Sequence, residues 1–131
     1  MIHDRDAHAD VLETLERDGA PERTVFHCFS GDVSMSRYCV ERGYFLSFAG
    51  TVTFKNAASL RDAAGVVPLD LMLVETDAPF LTPAPYRGRP NAPYLIPLTV
   101  RALAEVKGLH EDDVAAATAR NAERVFGPWV D

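Results

Sequence analysis

Short apolar runs alternate with segments of helical period along this chain, and that alternation restricts the fold more than any single residue does. The runs lie at residues 2–3, 24–29, 44–48 and 71–74. Each is short and bounded by turn-forming residues, as buried strands are. The segments between them read as helices. Ala7, Val11, Leu12 and Leu15 share one face of a helix expected over 7–18, with Asp6 at its cap and Gly19 closing it. Ser34 is the expected cap of a second helix that ends before Gly43, and Asn56 that of a third over 57–64, closed by Gly65. After a long loop at 78–94, Pro97 suits the first turn of a helix ending near Gly108. A last helix over 111–126 carries Val114, Ala117, Asn121, Val125 and Phe126 in phase. Alternating strands and helices predict parallel strands joined by right-handed crossovers. Four such units are present. A complete eightfold barrel takes roughly 250 residues, so the expected class is α/β with half of a (βα)8 barrel, one domain over residues 1–131.

Composition narrows the setting. Hydrophobic content of 47% and charged content of 24% suit a globular domain with a core. No apolar run is long enough for a membrane span, and the opening Met-Ile-His-Asp-Arg-Asp is unlike a signal peptide. Cys28 and Cys39 lack CxxC spacing and read as reduced thiols of a cytoplasmic protein. A net charge of −6 argues against broad electrostatic attraction to nucleic acid and leaves room for a local phosphate site. Arg87 and Arg89 sit in a Pro/Gly-rich loop without nearby acids; on composition alone they read as solvated loop arginines.

The polar residues at the carboxyl ends of the strand runs are His3, His27 and Asp77. In a parallel barrel these ends converge on one face. Two imidazoles and a carboxylate suit a divalent cation such as Zn or Mn. Taken singly, His3 reads as a terminal residue, His27 as a hydrogen-bonded core histidine and Asp77 as a cap; their common position at strand ends favours a site. His8 is expected to face outward, and His110 stands where a helix cap is wanted. Cys28 alternates to the face opposite His27, the place of a packed thiol rather than a nucleophile. Lys55 and Asn56 follow a strand within reach of an anionic substrate, although a cap is the simpler role for Asn56.

Five segments together resemble the TatD family of metal-dependent deoxyribonucleases, amidohydrolase-like barrels. They are Ile2-His3-Asp4-Arg5, Phe26-His27-Cys28-Phe29-Ser30-Gly31, Glu75-Thr76-Asp77-Ala78-Pro79, Tyr86-Arg87-Gly88-Arg89-Pro90-Asn91-Ala92-Pro93 and Asn121-Ala122-Glu123-Arg124-Val125-Phe126-Gly127. The resemblance spans essentially the whole chain. It implies the carboxyl-terminal half of a (βα)8 barrel, a divalent-metal site (Mg, Mn or Zn) held by His3, His27 and Asp77, and DNA as the substrate. It further implies that Asp77 orients or deprotonates the attacking water, and that the loop around Arg87 and Asn91 lines the phosphate side. Glu75 belongs to the motif without an assigned role.

The chain departs from that family in lacking an H-x-H pair; its histidines are 3, 8, 27 and 110. The family's first half, which supplies that pair and a bridging glutamate, is absent. Strands five to eight alone form an open sheet with unpaired edges. Self-association into a closed ring, pairing with a separate first half, instability and a truncated reading frame all remain open, with truncation the preferred account. Three functional readings follow: a DNA phosphodiesterase, a half-barrel that only binds or assembles, and an amidohydrolase-like reaction on a small ester or amide.

Overall fold

Strand pairing follows chain order. The computed structural model describes residues 1–128. In it, β1 (Ile2–His3), β2 (Val25–His27), β3 (Phe45–Phe48) and β4 (Met72–Val74) form one sheet in the order β1-β2-β3-β4, every pair parallel. The helices are α1 (His8–Asp18), α2 (Val33–Glu41), α3 (Ala58–Val66), α4 (Ile96–Lys107) and α5 (Glu111–Phe126). An order without reversal is the winding of a barrel rather than of a doubly wound sheet, which reverses at a switch point. The expected α/β alternation is therefore present. Residues 129–131 of the expected domain lie outside the described residues.

Side chains alternate across a strand, and the register divides them into two faces. Phe26 pairs with Leu46 and Leu46 with Met72. With Phe48, these are at most 1% exposed and form the main core with Val52, Ala63, Ala64, Val67, Leu103 and Val114. Fully burying each large side chain contributes about 1.5–3 kcal/mol, so this face dominates the packing. On the other face Val25, Phe45 and Leu73 form a smaller cluster with Val125 of α5. One step further along those strands, His27, Ser47 and Glu75 occupy the same face by the two-residue period.

Several helix starts differ from expectation. Asp6 does not cap α1: it turns the chain at φ 56, Ala7 is the N-cap residue, and Asp4 accepts a hydrogen bond from the Ala7 N–H at 3.2 Å. In α2 the cap is Asp32, whose carboxylate accepts from the Met35 N–H at 2.9 Å, and Ser34 lies inside the first turn. Asn56 sits in the turn before α3, which starts from an Ala57 N-cap without a side-chain bond and continues through Gly65. The later helices follow expectation. Pro97 lies in the first turn of α4, Gly108 closes it at φ 63, and the His110 ring accepts from the Asp112 N–H to cap α5. Strand β2 is shorter than its apolar run because the chain leaves extended geometry at Cys28, φ 47. Phe126, counted in phase, is 60% exposed, whereas Asn121 is buried and donates to the Leu69 and Met72 carbonyls at 2.8 Å.

Gly50 opens a short 3-10 turn, Gly50–Thr53, after β3. A Cβ there would lie 2.2 Å from the Leu81 carbonyl oxygen, so glycine is required for this turn to meet the loop that follows β4. Among the described residues no helix is long and apolar enough to cross a membrane.

Candidate metal centre

The carboxyl ends of β2 and β4 are separated by β3, yet their side chains meet. The inward residue of β3 at that level is Ser47, buried and small. Backbone bonds extend the ladder past the strands, with Phe29 N–H donating to Ser47 O at 2.8 Å and Glu75 N–H to Phe48 O at 3.1 Å. His27 and Glu75 are thus carried upward on either side of a short side chain. Nδ1 of His27 lies 2.6 Å from Oε1 of Glu75, and Nε2 lies 3.6 Å from Oδ1 of Asp77. Oε1 is buried, and it meets the imidazole in a close contact without aligned hydrogen-bond geometry. The second oxygen, Oε2, accepts from the Cys28 N–H at 3.1 Å.

Ligand atoms of His27, Glu75 and Asp77 lie within 4.8 Å of one another. Mixed imidazole and carboxylate donors fit a divalent cation. With Nδ1 facing Glu75, the lone pair of a neutral ring falls on Nε2, the nitrogen beside Asp77. Asp77 itself has φ 56, a left-handed conformation that Asp and Asn adopt more readily than other side-chain-bearing residues. Its turn is closed by Phe80 N–H donating to Asp77 O at 2.9 Å.

His3 is the register partner of His27, and the two rings are 5.6 Å apart. It is exposed and stands beside the tight cluster rather than within it. Glu75, by contrast, is the residue sequence reading left without a role. The signal for it was the two-residue spacing from inward-facing Leu73. The Cys28 thiol is pushed up to about 11, first by burial and then by Glu75 and Asp77, against a lowering by Arg5. It stays protonated near neutral pH, in keeping with a packed thiol rather than a nucleophile. His8 is partly exposed, its Nδ1 2.5 Å from the nearly buried carboxylate of Asp4.

Arg87 and Asn91 part company. The Arg87 guanidinium stacks 3.9 Å above the Phe54 ring. The sequence reading puts Asn91 on the phosphate side, but its side chain is turned inward and 7% exposed. Its Nδ2 donates to the Thr76 and Phe80 carbonyls, both at 2.8 Å, so this amide ties the two sides of the Asp77 turn together. An amide with two N–H donors suits that bridging place.

A singly wound parallel α/β unit with convergent imidazole and carboxylate donors at its strand ends is a piece of barrel architecture with donors suited to a divalent cation. The chain belongs to the TatD family: the family described as TatD related DNase matches residues 1–127. Over 127 residues it is 50% identical to the protein named uncharacterized metal-dependent hydrolase TatD of Mycobacterium tuberculosis, covering 97% of this chain and 48% of that protein. The metal-dependent hydrolase YabD of Bacillus subtilis is 40% identical, with 96% and 50% covered. Among solved structures, the TatD homologue YJJV of Escherichia coli superposes with a TM-score of 0.88 at 31% identity, over 97% of this chain and 49% of that one. The chain spans about half the length of the curated relatives it matches.

Proposed function

We propose that this chain carries strand-end ligands of a metal-dependent hydrolase that cleaves phosphodiester bonds in DNA. The observation that carries the reading is the convergence of His27, Glu75 and Asp77 at strand ends of a chain matching the TatD related DNase family. His27 through Nε2 and Asp77 through its carboxylate would hold a divalent cation (Mg, Mn or Zn), with His3 on the adjacent strand as a further donor. Glu75 keeps His27 protonated on Nδ1 and aims its ring. When bound, such a cation supplies Lewis acidity toward a phosphodiester oxygen and lowers the pKa of water. Asp77, with its side chain 33% exposed, orients the attacking water and accepts its proton on a carboxylate oxygen. The H-x-H pair and bridging glutamate that the family resemblance implies are not in this chain and would come from outside it. Two free thiols fit a cytoplasmic setting.

The test is cleavage of end-labelled DNA by the purified chain with Mg, Mn or Zn, with a chelator, and with Asp77→Asn. Asn tolerates the left-handed backbone and so isolates the carboxylate. Cation-dependent cleavage reduced at least about a hundredfold in the variant is expected, the scale of general acid–base catalysis. Equal, chelator-insensitive rates would remove the assignment. Cation binding without cleavage favours the second reading, a half-barrel that binds only, which the chain's half-length span of its relatives supports.

A further inference from the structure

We infer that the loop after Asp77 forms a stacking subsite for an unpaired nucleobase, with Phe80 as its platform and Arg87 and Arg89 as the cations that meet the flanking phosphates. This rests on the reading of the chain as acting on nucleic acid.

Charge is the first observation. Residues 78–104 contain three arginines and no acidic residue, in a chain of net charge −6. Arg101, the third of these, pairs with Glu111; Arg17 and Arg42 also pair with carboxylates, and Arg23, Arg61 and Arg124 donate to backbone carbonyls. Among the described residues, neither Arg87 nor Arg89 forms an ion pair. Each instead lies over an aromatic ring, Arg87 at 3.9 Å from Phe54 and Arg89 at 5.8 Å from Tyr86. A guanidinium stacked by its face keeps its N–H edge for bidentate contact with a phosphate.

Exposed aromatics are the second observation. Of the six exposed large hydrophobic side chains in the described residues, Phe80, Tyr86 and Tyr94 fall in or beside this loop, and Phe80 is 68% exposed. Phe80 lines a cavity of about 560 Å³ together with Phe54, Leu81, Arg87 and Arg89, within the roughly 300–1,000 Å³ of small-molecule sites. An open aromatic face flanked by backbone-tracking cations is the arrangement that binds single-stranded nucleic acid.

Position and rigidity are the third. Phe80 N–H donates to the Asp77 carbonyl, so the platform starts three residues from the candidate metal ligand. The loop is held from several sides. Asn91 bonds the Thr76 and Phe80 carbonyls, Thr82 Oγ1 donates to Arg89 O at 2.5 Å, and Thr53 Oγ1 accepts from the Ala84 N–H at 2.8 Å. A preformed platform binds without an ordering cost.

The experiment measures binding without cation, in chelator, so that it reports neither cleavage nor metal loading. A short single-stranded oligonucleotide carrying 2-aminopurine near its end is titrated with the chain and its fluorescence followed. An abasic oligonucleotide of equal length competes. Expected are quenching on binding, roughly tenfold or greater loss of affinity in Phe80→Ala, retention in Phe80→Trp, and equally weak binding of the abasic competitor. Arg89→Ala weakens both oligonucleotides alike and flattens the salt dependence. Equal affinity for the normal and abasic strands, or an unchanged Phe80→Ala, overturns the subsite. Thermal melts control for folding, which the exposure of Phe80 makes robust to substitution. Stacking without any cleavage by the loaded chain leaves the subsite standing and removes the nuclease reading; cleavage without stacking does the reverse.

Discussion

Glu75 joins two strand ends through one side chain. One oxygen accepts the Cys28 N–H and the other contacts Nδ1 of His27. Replacing it with Gln keeps an acceptor for Cys28 but removes the charge that favours the Nδ1-protonated imidazole. Glu75→Gln is expected to weaken cation binding by about 10- to 100-fold, the usual scale for a residue that orients a ligand. Competition against a chromophoric chelator measures the affinity, and nitrogen NMR of His27 reports the tautomer. Unchanged values of both would show that Glu75 does not set the ring. At this scale the meeting of His27 and Asp77 was legible because parallel strand ends converge on one face. Glu75 was not, because its contact passes over an intervening strand and depends on register.

Helix starts show how elements escape a one-dimensional reading. Asp32 and Ser34 are both good cap residues, two positions apart, and either could open α2. The backbone decides: Asp32 is extended at φ −97 and ψ −174, and its carboxylate accepts from the Met35 N–H, so the cap falls on Asp32. Asp32→Ala is expected to lower unfolding stability by about 1 kcal/mol, while Ser34→Ala stays within about 0.5 kcal/mol. Urea denaturation of the two variants checks this, and the reverse order would contradict the assigned cap. Asn121 makes a related point. It shares the phase of the apolar stripe of α5, yet its buried amide fastens that helix to the turn before β4. Periodicity reports which face is inward, not whether a residue there packs or bonds.

Over the whole molecule, the sheet separates the main core from the candidate metal centre. The face under the helices holds the main core, and the other holds the smaller cluster with His27 and Glu75 above it. A cation held by His27 and Asp77 ties the end of β2 to the loop after β4 and therefore stabilises the folded chain by linkage. At a hundredfold excess over its dissociation constant the gain is about 2.7 kcal/mol, a rise in melting temperature on the order of 10 °C for a chain of this size. Differential scanning calorimetry is expected to show that rise, its reversal by chelator and its loss in His27→Ala. A melting temperature indifferent to cation would remove these ligands from the reading.

The amino-acid sequence alone determined the alternation of strands and helices, the parallel sheet and the strand-end positions of His27 and Asp77. These are consequences of local periodicity and short-range turn chemistry. Only the tertiary structure decided that Glu75 faces His27, that Asn91 turns inward, and that Arg87 rests on Phe54. Each of those depends on segments distant in the chain meeting at a particular register and angle. Packing of the whole sheet and its loops sets that geometry, and no local pattern encodes it.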